Sequence, residues 1–69
     1  MLSVRVNGRP DRLPTGHTVA DLVRAVTGQA APRGVAVALN GTVVRRADWP
    51  ATALSEGDRV EVLTATQGG

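Results

Sequence analysis

No cysteine occurs in the chain, which excludes disulfide staples and thiolate metal sites. A single histidine, His17, excludes a histidine-cluster metal centre. Lysine is absent as well, so eight arginines supply every side-chain base. The chain therefore offers no lysine amine for another copy's carboxyl end to acylate, and lysine-linked chains of itself are excluded. Phenylalanine and tyrosine are missing, and Trp49 is the only aromatic residue. The core must be built from valine, leucine and alanine around one indole. No apolar run approaches the roughly 18 residues of a membrane span. The amino terminus lacks the charged-then-apolar pattern of a signal peptide. The expectation is a cytoplasmic protein with no membrane partner.

Charge is also sparse. Net charge is +2, from eight arginines against six acids. The sequence pI of about 11.2 overstates this balance, because no lysine or tyrosine titrates at a lower pH. The arginines stand at positions 5, 9, 12, 24, 33, 45, 46 and 59. They form no run and are not interleaved with aromatics, which argues against nucleic acid. Sixty-nine residues make one domain, and a chain this short buries only about 60% of its unfolded surface.

What is present reads as alternating strands around one helix. Leu2, Val4 and Val6 alternate with Ser3 and Arg5, the period of a half-buried strand. Asn7-Gly8 is a hairpin signal, since both residues tolerate positive φ. A second strand is expected from about Arg9 to Leu13, and Pro10 suits an edge position because it cannot donate to a ladder. Thr18 is the predicted helix N-cap, with Asp21 completing a variant capping box. Val19, Leu22, Val23 and Val26 form one apolar stripe, and Gly28 is placed as the C-cap. Gln29 to Gly34 is a connection. Val35, Val37 and Leu39 alternate with Ala36 and Ala38, Asn40-Gly41 is a second hairpin turn, and Thr42 to Arg45 is the returning strand. Ala47 to Leu54 has no clear period. Asp48 is expected to cap a short turn there, with Trp49 and Leu54 folded onto the core. Glu56-Gly57-Asp58 reads as a tight turn before a last strand carrying Val60 and Val62, which runs out near Ala65.

The predicted order is ββαβββ: an α+β fold in which a mixed four- to five-stranded sheet is covered on one face by one main helix. The first and last strands lie side by side at its centre. Residues 1–65 make the domain and 66–69 a flexible tail.

That tail, Thr66-Gln67-Gly68-Gly69, carries the functional question. Chain ends are commonly poorly ordered, so a frayed terminus is the ordinary reading. The alternative makes the terminal carboxylate the working group, with Cβ-free residues allowing it to enter a narrow channel. Other candidates are explained structurally. His17 has no cysteine or paired carboxylate near it, capping accounts for Thr18 and Asp21, and a turn accounts for Ser55. Gly8, Gly41 and Gly57 are isolated turn glycines with no phosphate-cradling spacing. Arg45-Arg46 reads as a solvated hairpin edge. Trp49 reads as a core anchor. If Val60 and Val62 point inward, Leu63 points outward, and Ala36 and Ala38 share its face. These three residues make a shallow apolar docking patch near the start of the tail.

Element order and the Gly-Gly end together resemble the β-grasp fold of ubiquitin-like proteins, and within it the ThiS family of sulfur carriers in thiamine biosynthesis. The resemblance covers essentially the whole chain. It is most specific over Ala38-Leu39-Asn40-Gly41-Thr42-Val43-Val44-Arg45-Arg46-Ala47-Asp48-Trp49, Leu54-Ser55-Glu56-Gly57-Asp58-Arg59-Val60-Glu61-Val62 and Thr64-Ala65-Thr66-Gln67-Gly68-Gly69. Arg45 stands where the family often has proline, and Thr66 where it often has an apolar residue. The resemblance implies a non-enzyme that is monomeric when free and binds no cofactor itself. It implies that a ThiF-like adenylyltransferase, using ATP and magnesium, activates the Gly69 carboxylate. A persulfide donor then leaves a thiocarboxylate, whose sulfur goes to a ThiG-like thiazole synthase. Gly68, Gln67 and Thr66 would thread the partner. The same chemistry in another pathway is the nearest alternative, as in a MoaD-like small subunit of molybdopterin synthase or amino-acid sulfuration. A ubiquitin-like modifier and a β-grasp interaction module with an incidental tail are the others.

Overall fold

A computed structural model describes residues 1–29 and 32–64. The connection around Ala30 and the end of the last strand at Ala65 lie outside the described residues, as do the tail positions Thr66, Gln67, Gly68 and Gly69. The described chain runs β1 (Leu2–Val6), β2 (Arg9–Leu13), α1 (Val19–Thr27), β3 (Val35–Leu39), β4 (Thr42–Val44), a 3₁₀ helix (Arg46–Ala51) and β5 (Arg59–Thr64). The five strands form one mixed sheet in the order β2-β1-β5-β3-β4. β1 and β5 are parallel, and every other pair is antiparallel. The expected adjacency of first and last strands holds, with β5 at the centre.

Both Asn-Gly dipeptides close two-residue hairpins. Val6 pairs with Arg9 across one and Leu39 with Thr42 across the other. Asn7 and Asn40 have φ of 52° and 51°, and their glycines 82° and 86°. Positive φ at both central residues matches the twist of the flanking strands. Pro10 falls on the β2 edge, opposite Arg5.

The helix begins as its sequence dictates. The Thr18 hydroxyl accepts from the Asp21 amide at 3.2 Å, and the Asp21 carboxylate accepts from the Thr18 amide at 3.0 Å. This closes a reciprocal capping box. Gly28 ends the helix at φ 79°, its amide donating to the Arg24 carbonyl at 2.7 Å. Val19, Leu22 and Val23 are buried, whereas Val26 is 48% exposed, so the apolar stripe seals only the first two turns. The helix start is also stitched to the segment after the 3₁₀ helix. The Val19 amide donates to the Thr52 carbonyl, and the Leu54 amide to the His17 carbonyl, each at 2.9 Å. These bonds account for His17 as part of the backbone framework.

The two hydrogen bonds from Thr18 hold the Asp21 carboxyl below its ordinary value of 3.8. A carboxyl whose pKa is lowered by folding stabilises the protein above the unfolded value, and that contribution disappears as pH falls through the lower folded value. The unfolding midpoint of wild type should therefore exceed that of Asp21→Asn near neutrality, with the gap closing below about pH 3.8. Thr18→Ala, which removes the other half of the box, should cost about 1 kcal/mol in urea unfolding.

The core consists of Val4, Leu13, Val19, Leu22, Val23, Val37, Trp49, Leu54, Val60 and Val62. Trp49 is 2% exposed, and its indole Nε1–H donates to the Val44 carbonyl at 2.9 Å. Three local expectations need correction. Asp48 caps nothing with its side chain; the 3₁₀ helix starts from Arg45, and Asp48 contributes its amide to the Arg45 carbonyl and its carbonyl to the Thr52 hydroxyl. Arg46 is not merely a solvated edge residue, because its guanidinium lies 5.5 Å from the centroid of the Trp49 ring. β4 ends at Val44, one residue short of the expected Arg45. Arg45 has φ −65° and ψ 145°, the conformation that proline imposes. The backbone there accommodates either residue.

Candidate functional site

β5 is the element that leads to the carboxyl end, and four kinds of contact fix it. β3 flanks it along its whole length, from Leu39–Val60 to Val35–Thr64. β1 flanks only its start, through the pairs Arg5–Arg59 and Val6–Val60. Beyond that point β1 has turned away, and the Asn7 side chain replaces it. The Asn7 Nδ2–H₂ donates to the Val62 carbonyl at 3.2 Å, and the Val62 amide donates to Asn7 Oδ1 at 2.8 Å. Asn40 does the same at the other end of the strand: its Nδ2–H₂ donates to Asp58 Oδ1, and its Oδ1 accepts from the Arg59 amide, each at 2.9 Å.

The two Asn-Gly turns thus act as clamps on the central strand, a role that their dipeptide signal does not reveal. Asn7→Gly keeps the permitted positive φ and deletes only the clamp. It should cost about 1–3 kcal/mol, read as a lower urea midpoint with an unchanged circular dichroism spectrum. A midpoint equal to wild type would show the clamp to be idle.

The sheet has a covered face and an open one. Val60 and Val62 face the core, at 1% and 5% exposure. Leu63, next in sequence, is 62% exposed on the other side. Ala36 lies directly opposite Leu63 in the β3–β5 register and is exposed, while Ala38 lies opposite Glu61 and is half-buried. The three expected patch residues therefore share one face, next to the end of β5. Val43 belongs with them: it pairs with Ala38 and is 72% exposed. The sequence signal for Val43 was its alternation with Val44, which packs against the core. Among the described residues no group of histidine, cysteine, aspartate or glutamate side chains is arranged to hold a metal ion. No described helix is long and apolar enough to cross a membrane.

The sequence model of the ThiS family matches residues 4–69 of the chain, which includes both the clamped strand and the Gly-Gly end. The chain belongs to the ThiS family. Two solved ThiS structures from Geobacter metallireducens, both described as a thiamine biosynthesis protein, are similar to it. The crystal structure has a TM-score of 0.79 at 34% identity, over 99% of this chain and 100% of its own. The solution structure has a TM-score of 0.77 at 34% identity, over 99% of this chain and 88% of its own. No curated protein sequence matches significantly. The five-stranded mixed sheet with one helix is the ThiS β-grasp. This membership places the expected ββαβββ order in a known architecture, with the 3₁₀ helix as an added element between β4 and β5.

Proposed function

We propose that the protein is a sulfur carrier of thiamine biosynthesis, and that Gly69 carries the sulfur. The observation that supports this best is the family match running unbroken through residue 69. The chain would act as the substrate of one enzyme and the sulfur donor to another, so its own task is to present a carboxyl group at the end of a firmly held strand.

A carboxylate is a poor acyl electrophile. A ThiF-like adenylyltransferase, with its own ATP and magnesium, would join the Gly69 carboxylate to AMP and release diphosphate. The terminal sulfur of a persulfide would then form a C–S bond as the bond to AMP breaks. Two electrons from a thiol would cleave the resulting S–S bond and leave the thiocarboxylate. Gly68 keeps the approach to this carbon free of a Cβ, and Gln67 and Thr66 would run extended through the partner's channel. Leu63, Ala36 and Ala38 would seat the partner beside the channel mouth, because an exposed apolar patch continuous with a functional tail is the surface to bury on docking. A ThiG-like thiazole synthase would receive the sulfur.

Supplying the purified thiocarboxylate form to each synthase separates this pathway from its neighbour. Sulfur transfer to a thiazole synthase is expected. Transfer to a molybdopterin precursor and not to a thiazole would assign the carrier elsewhere.

A further inference from the structure

Two arginines stand side by side on the open face of the sheet. Arg5 and Arg59 are directly opposite in the parallel β1–β5 register. Each alternates with inward-facing valines, buried Val4 and half-buried Val6 on β1 and buried Val60 on β5, so both side chains rise on the side away from the helix. Like charges directly opposite in a sheet are destabilising. Arg5 makes one long contact, Nη1 donating to the Gly8 carbonyl at 3.2 Å. Among the described residues no acid forms an ion pair with either arginine.

The pair lines a depression of about 260 Å³ between the two Asn-Gly turns. Gly8 and Gly41 border it without side chains, and the space where their Cβ atoms would stand is open. Glu61 closes the remaining side. The notch therefore holds two positive charges and one negative. Glu56 lines a neighbouring depression with both arginines, and its Oε1 accepts from the Ser3 amide at 2.9 Å.

We propose that the Arg5–Arg59 notch is an oxyanion site that takes the phosphate group of a small molecule. Two guanidinium forks present more donors than one carboxylate can accept, whereas a tetrahedral dianion can bridge both. The volume is below the roughly 300–1,000 Å³ of pockets that enclose drug-sized ligands, which suits phosphate or diphosphate with the rest of any larger ligand left outside. Arg59 starts β5 and Thr64 ends it, so the site lies roughly 17 Å from the strand end that leads to the tail. It does not rest on the reading of Gly69.

The test is a set of amide chemical-shift titrations of the full chain at low salt, with inorganic phosphate, diphosphate and adenosine monophosphate as separate probes. Saturable shifts confined to positions 5, 8, 41 and 59–61 are expected, weakening as chloride is added. A tighter response to diphosphate than to the nucleotide would make the free anion the ligand, and the reverse would make it a nucleotide phosphate; either supports the site. Arg59→Gln should weaken binding about tenfold, as one of two charge-assisted partners is lost. Glu61→Gln removes the opposing charge without touching either arginine and should tighten binding several-fold. Shifts that do not saturate, that spread evenly over all eight arginine positions, or that are unchanged in Glu61→Gln would overturn the proposal.

Discussion

Trp49→Ala is expected to remove most of the stability of the domain. Truncating a buried tryptophan to alanine costs about 3–5 kcal/mol. At roughly 0.05–0.15 kcal/mol per residue, a chain of this length has only about 3–10 kcal/mol in total. The loss should be at the upper end of its range for three reasons. The indole is the only aromatic ring available to the core. Its Nε1–H satisfies the Val44 carbonyl, the last residue of β4. Its other face is covered by the Arg46 guanidinium, which would be left over a cavity. Trp49→Phe should be intermediate, since most of the apolar volume remains while the bond to Val44 is lost. Far-UV circular dichroism in urea reads both variants without depending on indole fluorescence. A cooperative Trp49→Ala transition with a midpoint close to wild type would mean that the indole is not the anchor.

The second large effect concerns function and leaves stability alone. Gly68→Val and Gly69→Ala should unfold at the wild-type urea midpoint, because the ten core residues found among the described residues all lie at or before Val62. Each should nevertheless depress sulfur loading, on the order of 100-fold. A displacement of about 1 Å at the reacting carbon is enough for a loss of that size. The two variants probe different requirements. Gly68→Val adds a branched Cβ one residue before the acyl carbon and tests the width of the channel. Gly69→Ala places a methyl on the carbon that bears the carboxyl and tests the attack itself. Wild-type loading rates in both would remove the steric reason for a Gly-Gly end. A joint loss of loading and stability would instead place these residues in the fold.

Most of the architecture was legible because its signals are local. The alternation of Val4 and Val6, or of Val60 and Val62, fixes which face is buried. The Asn-Gly dipeptides fix the hairpins, and Thr18 with Asp21 fixes the helix start. The features that were not legible depend on contacts across the chain. Asn7 reaches Val62 and Asn40 reaches Arg59, separations that no local pattern encodes. The 3₁₀ helix around Trp49 has no period of its own. It is set by the indole's bond to Val44 and by Pro50 within it, so Asp48 was assigned a capping task that Arg45's position made unnecessary. Val26 sits on the right stripe but one turn too far along to be covered. At the candidate site, alternation alone placed Leu63, Ala36 and Ala38 on one face. Val43 joins them only once the β3–β4 register is known. The Gly-Gly end was legible as a motif, and its chemistry rests on kinship with the ThiS family and not on any pattern in the fold.

The central claim is that Gly69 carries sulfur, and intact-mass spectrometry tests it most directly. The purified protein is incubated with a ThiF-like adenylyltransferase, ATP, magnesium and a sulfide source, using an enzyme preparation already active on another carrier. The expected result is a mass increase equal to one oxygen-to-sulfur exchange, located at Gly69 by fragmentation and absent when ATP is omitted. An unchanged mass for the native chain under those conditions would contradict the claim.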